Sequence, residues 1–263
     1  MVKRGSGLRN EAKMLSRDAK LRELVERLKE FAASNLECVI LFGSAARGDF
    51  REEHSDLNVV CILRSLSVEE LGRLAGVVKW WCVEEREPAP LFFTHEELRE
   101  AADVFAIEIL DMKRGRRVLY GEDLVAKIEV PTNLHRLQIE RDLRTTLLKL
   151  RQHYLRAPGH VSELGPVLRK SFSSVLTLLR HTVMAFGETP PVHAREIVAR
   201  AAALTATDAT AFDALLKMRE GGEFHGDLVP AYGGYLKALE NVLHALDHHF
   251  PKREWQRVKK TAS

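Results

Sequence analysis

Apolar side chains at Leu21, Leu24, Val25, Leu28 and Phe31 recur at spacings of three and four, which predicts a helix with one stripe turned toward a sheet. Residues 38–42 are a short apolar, β-prone run that stops at Gly43-Ser44, the pattern of a buried strand feeding a tight turn. A second strand is predicted over residues 57–63. Ser67 and Glu70 have capping-box spacing and open a helix carrying Leu71, Leu74, Val78 and Trp81, ended by the acidic break at 84–87. Of the adjacent Trp80 and Trp81, one is expected in the core. Residues 90–93 form a third apolar run, stopped by Thr94, which pairs with Glu97 in another capping box. Residues 104–111 fit both periods and are read as helix, ended by Gly115. Residues 118–120, before Gly121, read as a short edge strand.

Pro131 marks a change to almost pure helical spacing. Leu143, Leu147, Leu150 and Tyr154 make one stripe, and Leu168, Phe172, Val175, Leu179, Val183 and Phe186 a longer one ended by Gly187. Three further helices are predicted: one with Pro191 just inside its start, a short one around Phe212 and Leu215, and one through Tyr235, Leu239 and Leu246. The Gly/Pro-rich stretch 221–234 is expected to be the long loop of this region. These patterns divide the chain into a flexible N-terminal segment (1–20), an α/β domain (21–125), a helical bundle (131–250) and a basic tail (251–263).

Composition changes this picture little. In 263 residues, 40 Lys and Arg against 37 Asp and Glu leave a net charge of +3, too small to argue by itself for a nucleic-acid partner, which is nevertheless not excluded. Basic residues gather over 134–156 and 252–260, where solvated helix faces and a tail explain them. The three cysteines, Cys38, Cys61 and Cys82, have neither disulfide nor zinc-site spacing. A charged N-terminus and the lack of a long apolar stretch set the expectation of a cytoplasmic chain with no membrane partner.

Candidate chemistry sits between the first two strands. Gly43 lets a backbone approach a ligand, and Ser44 stands where a helix begins, with N–H groups and a positive dipole end facing a phosphate. Arg47, one turn on, offers a fork of donors. Eleven residues separate Ser44 from Asp56. Asp56 and position 58 fall on one strand face, where two oxygen donors would grip Mg²⁺ against nucleotide phosphates. The acidic Asp49, Glu52 and Glu53 between them read as a solvated loop.

This composite resembles the DNA polymerase beta-type nucleotidyltransferase superfamily, including its small bacterial members and the antibiotic nucleotidyltransferases that append a helical bundle. Gly43, Ser44, Arg47 and Gly48 match the Gly-Ser-x-x-Arg-Gly nucleotide loop, and Ser55 and Asp56 match the start of the carboxylate motif. The resemblance implies an α/β core with a short mixed sheet and flanking helices, followed by an all-α helical bundle. It also implies Mg²⁺-dependent transfer of a nucleoside monophosphate from an NTP, ATP being the expected one, to a small-molecule or protein acceptor. Asp56 and Asn58 would then be the catalytic metal ligands, with Gly43, Ser44, Arg47, Gly48 and Ser55 holding nucleotide. Two departures point to an impaired site or to a degenerate nucleotide-binding or partner-binding module. Asn58 stands where the family has a second metal-binding Asp, and the third strand carries no carboxylate. Glu85 and Glu87 lie just before that strand, Glu108 and Asp111 beyond it. The cluster Lys113, Arg114, Arg116 and Arg117 is either a triphosphate contact or an exposed turn. Glu240, His244 and His248, spaced by four, read as the wet side of a helix, and Arg219 with His225 only loosely resembles a ribonuclease motif.

Overall fold

The computed structural model describes residues 7–47, 56–156, 158, 161–222 and 227–249. The chain forms two compact units, one up to Pro131 and the other from Thr132.

The first unit is built on a four-stranded sheet of order β3-β2-β1-β4, with β1 at Leu36–Phe42, β2 at Asn58–Leu63, β3 at Leu91–Thr94 and β4 at Arg116–Gly121. Strand β1 runs antiparallel to β2 and β4, whereas β2 and β3 are parallel, so the sheet is mixed. Alternation along the strands divides the core into two layers. Val39, Leu41, Leu57, Val59 and Cys61 face α1 (Gly7–Ala32) and α3 (Val68–Val83). Cys38, Ile40, Val60 and Ile62 face Leu98 of α4 (His95–Glu100) and Ile109 and Met112 of α5 (Ala106–Arg114). Burial, with a smaller contribution from the nearby Asp123 and Glu37 carboxylates, pushes the Cys38 thiol up to about 11, and burial pushes the fully enclosed Cys61 higher still.

Several local expectations change. Helix α1 begins at Gly7, so the segment expected to be flexible up to residue 20 is helical from there on. Its stripe closes on buried Ala32, leaving Phe31 46 % exposed. The apolar face of α3 is Leu74, Val77, Trp80 and Trp81, with Leu71 outside. Both tryptophans are buried: Trp81 Nε1 donates to the Pro88 carbonyl (2.9 Å), and the Arg27 guanidinium lies 4.1 Å from the centre of the Trp80 ring. Only Thr94 and Glu97 complete a reciprocal capping box; Glu70 turns its carboxylate to Arg73 and Asn35 instead.

The second unit is helical: α6 (Thr132–Arg156), α7 (Val161–Ala185), α8 (Ala194–Leu204), α9 (Asp213–Arg219) and α10 (Leu228–His249). Pro191 precedes α8 rather than opening it. Helix α10 begins at Leu228 and takes in Gly233 and Gly234, so the loop expected over 221–234 ends earlier. Pro230 is tolerated there because a first-turn residue needs no N–H partner. Two polar contacts pin the interior. His135 Nε2 and His181 Nδ1 lie 2.9 Å apart, and the Tyr232 hydroxyl donates to the Leu150 carbonyl at 2.6 Å. The basic tail at 251–263 lies outside the described residues. Among the described residues no helix is long and apolar enough to cross a membrane.

Candidate active site

The site grows from the end of β1. Phe42 pairs with Asn58 of β2 on one side and with Arg116 of β4 on the other, so these three residues form one row across the sheet. Phe42 packs with the layer that holds Ile40, Val60 and Ile62, which places Asn58 on the α5 side of the sheet. Immediately after the row the chain turns at Gly43, whose φ of +83° is the left-handed region that favours glycine. A Cβ at Gly43 would stand 3.3 Å from Asn58 Nδ2. The glycine turn and the residue at position 58 are thus neighbours, although fourteen residues intervene in sequence.

Helix α2 follows at Ser44–Arg47. The Gly43 carbonyl accepts from Ala46 N–H (3.2 Å), closing the first turn, and Gly43 N–H donates to the Gly115 carbonyl (3.1 Å). The amides of Gly43 and Ala46 are therefore engaged, whereas the N–H groups of Ser44 and Ala45 belong to the first turn and have no acceptor inside the helix. Ser44 and Arg47 fall on the backbone of α2. Gly48 and Ser55, like Asp49, Glu52 and Glu53, lie outside the described residues. Asp56 is exposed and precedes β2, while Leu57 between it and Asn58 is buried in the α1/α3 layer.

Carboxylates around this row are distributed unevenly. On β3, Leu91 and Phe93 pair with Val60 and Ile62, and Leu91 is 42 % exposed. The β3 residues beside Val60 and Ile62 are therefore apolar. Glu87, four residues ahead of β3, accepts the Leu57 N–H on Oε2 at 2.9 Å, and its Oε1 is 3.8 Å from Lys20 Nζ. Lys20 also meets Glu85, at both its carboxylate (2.8 Å) and its carbonyl (3.1 Å). Glu108 is exposed on α5, and Asp111 is half-buried one turn before Gly115.

The basic cluster is largely absorbed by the fold. Lys113 donates to the Ile128 carbonyl (2.6 Å), Arg117 pairs with Asp18 of α1 (2.7 Å), and Arg116 pairs with Asp123 (2.7 Å) while also donating to the Lys113 carbonyl. Arg116 alone of these stands in the Asn58–Phe42 row. Sequence reading had no signal for Lys20 or for the Arg116–Asp123 pair, because their partners are distant or locally unremarkable. In the second unit Glu240 is held by Arg151 (2.8 Å), and the His244 and His248 rings lie 4.1 Å apart. Among the described residues no group of three His, Cys, Asp or Glu side chains is placed to hold a metal ion.

A glycine turn leaving a buried strand into a short helix, with Asp-x-Asn opening the antiparallel neighbour in a mixed sheet, defines a core of the nucleotidyltransferase type. The model of the nucleotidyltransferase domain family matches residues 21–156, more than half of the chain, and the chain belongs to that family. Among solved structures it is similar to a spectinomycin adenyltransferase from Enterococcus faecialis, crystallised with ATP and spectinomycin, at 13 % identity and a TM-score of 0.44, over 86 % of this chain and 98 % of that one. No curated protein matches the chain.

Proposed function

We propose that this chain binds a nucleoside triphosphate, ATP by expectation, with Mg²⁺ at the turn between β1 and α2, and transfers its nucleoside monophosphate slowly to a small-molecule or protein acceptor. The observation that carries this reading is the proximity of Gly43 to Asn58, whose Nδ2 lies 3.3 Å from where a Cβ at position 43 would stand. Gly43 admits the triphosphate to the backbone, the N–H groups of Ser44 and Ala45 would receive phosphate oxygens, and Ser44 and Arg47 would add side-chain donors. Asp56 supplies a charged oxygen and Asn58 a neutral one. A donor set of one carboxylate and one amide fits a hard cation that takes further oxygens from the phosphates. Magnesium bound there would neutralise the triphosphate and hold it in line.

In the transfer, the acceptor oxygen bonds to the α-phosphorus as the bond to the bridging oxygen breaks, and pyrophosphate leaves with that electron pair. The acceptor's proton must pass to a base. Leu91 and Phe93 occupy the places on β3 from which one would act, and a missing general base typically costs about 10²- to 10⁴-fold in rate. The same two residues favour a second reading, a nucleotide-binding module without turnover.

Incubating the protein with each labelled NTP and Mg²⁺ or Mn²⁺, with and without cell extract, separates the two. Label transferred with pyrophosphate release, and lost in Asp56→Ala, is the expected outcome. Binding without any release supports the second reading, and neither binding nor release overturns both.

A further inference from the structure

Asp56 lies just ahead of β2 and Asn58 opens it, yet the ladder that should hold this strand on the β3 side begins only at Val60↔Leu91. Ahead of Leu91 the neighbouring chain contains Pro88 and Pro90, neither of which has an N–H to contribute. On the other side β2 is held by β1 up to Asn58. The N–H of Leu57 would be left without a strand partner, and Glu87 takes that place with its side chain at 2.9 Å.

Glu87 is itself fixed from three directions. Its N–H donates to the Trp81 carbonyl (3.2 Å), Trp81 Nε1 holds the next residue through the Pro88 carbonyl, and Lys20 of α1 faces its second oxygen. The side chain is only 12 % exposed. One oxygen is thus committed to a backbone amide, and the other faces, at 3.8 Å, an ammonium group that Glu85 holds at 2.8 Å, an arrangement that aligns the start of a strand.

We propose that Glu87, anchored through its N–H to the Trp81 carbonyl and facing Lys20, is a positioning residue that fixes the backbone of Asp56, Leu57 and Asn58 in the geometry that receives Mg²⁺ with a triphosphate. The proposal rests on the nucleotide site described above. It assigns Glu87 a place in this site distinct from that of a proton acceptor. A carboxylate acting through the Leu57 amide needs its acceptor oxygen more than its charge, so glutamine should replace it and alanine should not.

Two readouts test this on the full chain. Amide hydrogen exchange at Leu57 reports the clamp without reference to function, and ATP affinity measured with Mg²⁺ and again with EDTA isolates the metal-dependent share. In Glu87→Ala, Leu57 exchange should quicken by about tenfold or more, and the Mg²⁺-dependent gain in ATP affinity should fall by about tenfold, with metal-free ATP affinity unchanged. Glu87→Gln should keep both close to wild type. Unchanged Leu57 exchange in Glu87→Ala overturns the clamp. Faster exchange with an undiminished Mg²⁺ gain overturns its link to the metal, as does failure of Glu87→Gln to preserve that gain. A wild-type chain that gains no ATP affinity from Mg²⁺ overturns the nucleotide-site reading, and it is recognised before any variant is made.

Discussion

On the proposed reading, Asn58 is where the metal site departs from two charged oxygens. It stands beside Gly43, in the row with Phe42 and Arg116, and offers an amide oxygen where a carboxylate would bring a full negative charge. Hard cations prefer charged oxygen, so Asn58→Asp should tighten Mg²⁺-dependent ATP binding by about tenfold, near 1.4 kcal/mol. Turnover should rise far less, since a second ligand does not remove the acceptor's proton. Titrating Mg²⁺ with ATP present, alongside pyrophosphate release, checks both statements; unchanged metal affinity would show that positions 56 and 58 do not share a cation. The glycine turn after β1 and the strand that opens near position 58 were legible from sequence, because a buried apolar run ending at glycine is a local signal. The clamp at Glu87 was not, because Lys20 and Leu57 reach it across 67 and 30 residues and no periodicity records such a contact.

Elements show the same division between local and distant causes. Helices α6 and α7 follow their apolar spacing, whereas Phe31 loses its place to Ala32 and Val78 loses its place to Val77 only when the sheet is present to choose the face. The β1–β4 pairing depends on Gly121, at φ +75°, where a Cβ would lie 2.0 Å from the Glu37 carbonyl oxygen. Gly121→Ala should therefore destabilise the first unit by about 3 kcal/mol or more, read as a lowered denaturation midpoint, and a loss below about 1 kcal/mol would show that β4 shifts freely. In the helical unit, burial pushes Tyr232 from 10.0 up to about 12. A folded-state value raised in this way gives stability that is full below pH 10 and lost as pH climbs through about 12. Tyr232→Phe, which also deprives the Leu150 carbonyl of its donor, should be less stable at pH 7 by about 1 kcal/mol yet lose less than wild type between pH 10 and 12. Parallel losses in urea titrations at the two pH values would contradict this.

At the scale of the molecule, the change at Pro131 from alternating strands and helices to helices alone was visible in the hydrophobic pattern, and the compact units divide there. The early start of α10 was not, because Gly233, Gly234 and Pro230 each argue locally for a loop, while Tyr232, Tyr235 and Leu239 have a buried face to fill. The family match runs over residues 21–156, through the sheet and into α6. On the proposed reading, the turn at Gly43 is where a triphosphate binds. The most direct test is the melting temperature with and without Mg²⁺ and ATP, each protein compared with its own ligand-free value. Ligand that binds the folded state raises it, by an amount equivalent to about 2.7 kcal/mol at a hundredfold excess over Kd. Wild type should show that rise. Gly43→Val, which forces a branched side chain into φ +83° and toward Asn58, should fold with a lowered baseline and show none. An equal rise in both proteins would place the nucleotide elsewhere and contradict the account.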